Sequence, residues 1–168
     1  MDSGLMLIRL AFGLVMAAHG AQKLFGWFGG HGLTAVAGMF ESLGFRPGRF
    51  FAPAAAVSEF IGGLLIATGF LGPIGPALVV AVMIVAAVSV HWANGLFAAA
   101  NGIEVPLLYG TAAAGLALTG PGAYSMDAVL GFTPLFTPAM QWAALVIAIA
   151  GGAMNLAVRR RPLHAVAA

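Results

Sequence analysis

Apolar residues run along this chain in blocks near the roughly 20 residues that an α-helix needs to cross about 30 Å of hydrocarbon. The first block covers 5–25, with Arg9 near its start and His19, Gln22 and Lys23 near its end. Blocks 50–71 and 74–93 follow, nearly uninterrupted; 104–119 is short and rich in small residues, and 138–158 closes on Arg159, Arg160 and Arg161. The pattern predicts an all-α transmembrane bundle.

The connections are equally readable. GFLGPIGPA (69–77) is a Gly/Pro turn too short to join anything but antiparallel neighbours. GPGAYSMD (120–127) reads as a turn and then an interfacial stretch. TAVAGMFESLGF (34–45) puts Val36, Met39, Phe40 and Leu43 on one helical face, as in a short helix lying in the interface, with Trp27 and Phe28 at headgroup level. The chain shows no internal repeat and no low-complexity tract.

Antiparallel threading sends the polar groups to one membrane face, side A, where the first span ends. His19, Gln22 and Lys23 share a helical face there. Glu59 lies about 13 Å into the second span at about 1.5 Å of rise per residue. His91 and Asn94 close the third span, and Asn101 and Glu104 open the fourth. On the opposite side only Asp2, Arg9 and Asp127 carry charge. An unpaired carboxylate at the depth of Glu59 costs several kcal/mol, so it is expected to be paired, protonated or open to a water-filled cavity. Lys23, His19 and His91 are the candidate partners. Ala55, Gly62 and Gly63 share its face and admit a close neighbour. The plainer readings are a snorkelling anchor for Lys23 and Arg9 and an interfacial hydrogen-bonder for His91.

Composition supports the membrane assignment. Charged residues make up 7% and hydrophobic ones 61%, with a mean hydropathy of +1.01, against about 25% charged in soluble domains. The absence of cysteine excludes thiol–disulfide chemistry and cysteine-ligated metal or iron–sulfur sites on this chain; no metal site is expected. The basic excess looks topological, so no nucleic-acid partner is expected. Lys23, Arg46, Arg49 and the arginine triplet lie on side A against Arg9 on the other, which makes side A cytoplasmic by the positive-inside rule. A cleaved signal peptide is not expected, because no basic segment precedes the first apolar run.

The run LIRLAFGLVMAAHGAQKLFGWFGG, with FESLGF, SEFIGGLLIATGF, HWANG and GPGAYSMD after it, resembles the DoxX family of small bacterial membrane proteins over about residues 5–130. The resemblance implies a four-helix bundle in the bacterial cytoplasmic membrane, with His19, Lys23, Glu59 and His91 at recurrent polar positions. It also implies a link to quinone chemistry, since the family takes its name from a terminal quinol oxidase. The 138–158 helix departs from that pattern as an added fifth span, giving a DoxX-like unit at 1–130 and an extension at 131–168.

Three functions remain open on these residues. In the first, a redox-associated subunit binds a quinone, with Glu59, His91 and His19 as proton-handling groups and Gln22, Lys23, Asn94 and Glu104 contacting the ligand. No nucleotide or flavin fingerprint is present, so electrons would come from a redox partner protein or a bound cofactor. In the second, His19 and His91 ligate a haem. In the third, the protein is a non-redox helper, scaffold or small-solute carrier. The bilayer is a partner in each, and the oligomeric state, a homo-oligomer included, is left open by the sequence.

Overall fold

The computed structural model describes residues 2–160, so Arg161 lies outside the described residues. They form helices without any strand. The first, α1 (Asp2–Phe25), begins with an acidic residue at its positive dipole end and carries Lys23 in its last turn. It stops where Gly26 takes a left-handed φ of +72°. The short helix expected at 34–45 is α2 (Gly32–Ser42), and α3 (Gly48–Thr68) ends at Gly69 in the left-handed conformation. The fourth, α4 (Ile74–Ala86), runs on through a π turn at Ala87–His91 and a 3₁₀ turn at Trp92–Asn94. After α5 (Glu104–Thr119) and the single turn α6 (Met126–Val129), α7 (Pro138–Ala157) starts from a Thr137 cap with proline in its first turn.

Four stretches are long and apolar enough to cross a membrane: Asp2–Phe25, Gly48–Thr68, Ile74–Asn94 and Pro138–Ala157. With 16 residues, α5 reaches only about 24 Å, which agrees with its short apolar block. Leu7, Ile8, Leu14, Val15, Leu107, Leu108, Val146 and Ile147 all point outward and exposed. That much apolar surface requires a lipid solvent, and the protein is an integral membrane bundle in contact with the bilayer.

Glycine sets how closely the helices approach. A Cβ on Gly13 would stand 2.5 Å from the Gly63 carbonyl oxygen and the Ala67 nitrogen, so α1 and α3 touch backbone to backbone. On the other side of α3, Gly62 lies against Gly75 and Val79 of α4. In lipid, association of helices rests on such packing, because burial from water no longer drives it. The core joins Met16, Ile66, Val79, Val80 and Met83 to Ala113, Leu116, Leu145 and Ala148. Hence α5 and α7 share one core with α1, α3 and α4.

The side opposite the cluster corrects two expectations. Arg9 does not snorkel: it is 3% exposed, and its guanidinium donates to the carbonyls of Pro121 and, at 2.6 Å, Tyr124. Asp127 is fully buried instead of interfacial, accepting the Leu71 and Gly72 N–H groups at 3.0 and 2.7 Å. The physical reason is backbone satisfaction. The 120–127 loop folds over the α3–α4 turn, and its carbonyls and the N–H groups of that turn need partners away from water. Ser125 belongs to the same clasp, donating to the Gly122 carbonyl at 2.6 Å and accepting the Ala128 N–H at 3.2 Å. Replacing Ser125 with Ala is expected to cost about 1 kcal/mol, as for other lost caps; an unchanged thermal midpoint in detergent would show the clasp to be ornamental.

Candidate functional site

Glu59 sits midway along α3, held among Ala55, Ala56, Gly62 and Gly63, and is 2% exposed. Lys23, in the last turn of α1, donates to both of its carboxylate oxygens. The ammonium side chain keeps 28% exposure while that of the carboxylate keeps 3%. Tight α1–α3 packing makes this bond available: Gly20, one turn before Lys23, rests directly on the Phe60 backbone next to Glu59.

The pair faces a cavity of about 290 Å³. Met39, Phe40 and Leu43 of α2 form one wall, Phe51, Ala54, Ala55 and Ser58 of α3 another. The third comes from α4: Ala81, Val82, Val85 and Ala86, then Ser89, Val90 and His91 of the π turn. Three consecutive residues reach one cavity there because the i→i+5 turn is wider than an α-turn. The hydroxyl of Ser89 donates to the Val85 carbonyl at 2.5 Å. Asn155 of α7 completes the lining. The result is a mostly apolar chamber with a short polar set: Lys23, Glu59, His91, Ser58, Ser89 and Asn155.

The C-terminal end of α7 fixes the chamber's corner. Arg159 Nε donates to the Leu43 carbonyl at 2.6 Å, and its guanidinium lies 5.8 Å from the centre of the Phe45 ring. Arg160 N–H bonds to the Gly44 carbonyl at 2.9 Å. Phe45, 1% exposed, is itself a cavity residue. The helix read as an extension therefore helps to build the site.

Of the candidate residues, the structure brings together Lys23, Glu59 and His91. His91 Nδ1 makes a 2.8 Å hydrogen bond with the Asn101 carbonyl, which orients the ring and, with that carbonyl as acceptor, places the proton on Nδ1. His19 is set apart. Its ring lies 6.1 Å from that of Tyr109 on α5, and it is not among the cavity residues. The two histidines thus do not confront each other across the chamber, and the bis-histidine haem arrangement gains no support. Gln22 donates to the Phe28 carbonyl at 3.1 Å and closes the 26–31 loop, against which Gly30 packs so tightly that a side chain would collide with Gln22. Asn94 donates to the carbonyls of Val90 and Asn101 at 3.3 and 3.2 Å. Glu104 accepts the Ala98 N–H at 2.7 Å. These three act on loop backbone.

Ser58, Ser89 and Asn155 went unnoticed in the sequence. Ser58 is adjacent to Glu59, and one helical step explains its place on the wall. Nothing in the local pattern marks Ser89 or Asn155, because the π turn and the seating of α7 are tertiary facts.

The family model described as DoxX matches residues 4–92, more than half of the chain. It spans α1 to the π turn and leaves α5 and α7 beyond it. No curated protein and no solved structure matches.

Proposed function

The chain belongs to the DoxX family of membrane proteins, and on that footing we propose that its cavity binds a quinone headgroup and that the protein is a quinone-interacting subunit of a membrane oxidoreductase. One observation carries the reading: a Lys–Glu ion pair and an imidazole open onto a chamber that is otherwise mostly apolar. Ligand sites have this composition, apolar walls with a few placed polar groups. A quinone ring fills the apolar part, and its carbonyl oxygens accept from the Lys23 ammonium and from Ser58 or the Asn155 amide.

Reduction to the quinol takes two electrons and two protons. The electrons come from a redox partner protein, which is why the chain is a subunit and not a self-sufficient oxidoreductase. The protons enter from side A, with His91 and Glu59 as the exchanging groups. When a carbonyl oxygen of the ring takes up negative charge, Lys23 is shared between it and Glu59, and this stabilises the reduced form. The excess of side-A charges, Lys23, Arg46, Arg49, Arg159 and Arg160, supports an entrance on the cytoplasmic side of a bacterial inner membrane.

Native mass spectrometry of protein released from mild detergent tests the proposal. A quinone-mass adduct is expected on the wild type, about tenfold weaker in Glu59→Gln, because the carboxylate that holds the Lys23 ammonium at the chamber is lost. His31→Gln, at an exposed position away from the chamber, should retain the adduct in full. Equal retention in Glu59→Gln, or phospholipid as the sole adduct, would move the protein to the class of membrane helpers and carriers.

A further inference from the structure

A second pocket, of about 660 Å³, lies on side A at the junction of α2 and α3, lined by Gly38, Glu41, Ser42, Arg46, Pro47 and Arg160. The chain alternates across this corner: Leu43 and Phe45 face the first chamber, while Ser42, Arg46 and Pro47 face the second. Two arginines and one acidic residue, Glu41, line the new pocket. Oε1 of the Glu41 carboxylate accepts the Gly48 N–H at 3.0 Å. Among the described residues the ion pair is Lys23–Glu59, so neither arginine has an acidic partner. Arg46 Nη2 is buried and has no hydrogen-bond partner, a cost that native proteins normally remove by supplying an acceptor.

From this juxtaposition we infer that the pocket binds the phosphate group of an anionic membrane lipid. A phosphate in the pocket accepts from the exposed part of the Arg46 guanidinium and from Arg160, neither of which has an acidic partner among the described residues. Ser42 lies on the same wall, although its hydroxyl now donates to the Met39 carbonyl at 2.7 Å. The lipid is favoured as the source because the pocket belongs to the interfacial corner of a membrane bundle. Phe50, three residues after Pro47, is 66% exposed and offers apolar surface to an acyl chain. Basic pockets of this kind on the cytoplasmic side are suited to acidic headgroups. Arg160 is held in place by its backbone bond to Gly44, so a bound phosphate also ties the end of α7 to the corner that walls the first chamber.

The test uses delipidated full-length protein in detergent, given phosphatidylglycerol, phosphatidylcholine or inorganic phosphate in separate arms and read by native mass spectrometry. Phosphatidylglycerol should be retained over phosphatidylcholine, with about fivefold loss for each of Arg46→Gln and Arg160→Gln. Arg49→Gln, which removes an equal charge outside the pocket, should leave retention unchanged. Gly38→Leu provides a variant that keeps both arginines: open space surrounds a Cβ at that position, so the new side chain fills the pocket without disturbing the helix and should block the lipid. If inorganic phosphate binds with the same arginine dependence while phosphatidylglycerol does not, the lipid assignment falls and a soluble phosphate takes its place. No preference over phosphatidylcholine, or equal loss in Arg49→Gln, overturns the site altogether.

Discussion

Lys23→Met is expected to destabilise the protein by about 3–5 kcal/mol, the range for breaking a buried pair and stranding one charge. The two halves of the pair are unequal. Glu59 is enclosed by α1, α3 and the chamber wall, and its side chain keeps 3% exposure, whereas that of Lys23 keeps 28%. Without Lys23 the carboxylate, which is 2% exposed, has no cation to face. Without Glu59, the long side chain of Lys23 can swing toward the headgroups. Glu59→Gln should therefore cost less than Lys23→Met, and the double variant should recover much of what Lys23→Met loses. Unfolding midpoints in one detergent, arranged as a double-mutant cycle, give the coupling directly. If Lys23→Met melts with the wild type, the lysine is a surface anchor and the pair contributes nothing to the fold.

The second large effect falls on a glycine. Gly63→Val should cost about 3 kcal/mol, at the upper end for overpacking. A Cβ there would stand 2.6 Å from the Gly13 carbonyl oxygen and closer still to the Ala17 nitrogen. These are backbone atoms of α1 and have no rotamer with which to move aside. The helices must separate, and with them Lys23 from Glu59 one turn further along. Gly115 of α5 supplies the contrast, since a Cβ there meets nothing within 4 Å. Gly115→Ala should raise stability by about 0.4–1 kcal/mol through the lower entropy of the unfolded chain. Equal responses at the two positions would remove close α1–α3 contact as the organising feature of the bundle.

The sequence disclosed the spans because lipid imposes a length and a polarity on each. The block at 104–119 coincides with α5, and the Gly/Pro turn at 69–77 joins antiparallel α3 and α4. The Lys23–Glu59 pair was also legible, because a deep carboxylate needs a cation and α1 and α3 are neighbours in a bundle with short connections. Spacing alone misjudged His19. It shares a face with Lys23 in an isolated helix, yet α1 lies between two neighbours that divide that face, Tyr109 taking one residue and Glu59 the other. Gln22, Asn94 and Glu104 have the chemistry of ligand contacts, but loop backbone at a membrane edge uses the same chemistry. Arg9 was misread for a related reason: no periodicity tells that a later loop will bring its carbonyls to that guanidinium.

The seating of α7 has a consequence for biosynthesis. Chains enter the membrane from the N-terminus onward, so α1, α3 and α4 are in place before α7 is made. Until then the wall that Asn155 supplies is missing, and Leu43 and Gly44 lack the bonds that Arg159 and Arg160 give them. The nascent protein holds its ion pair early but finishes its chamber last. The site thus closes only once α7 is seated, and a chain truncated before residue 138 would insert as a bundle with its chamber open on one side.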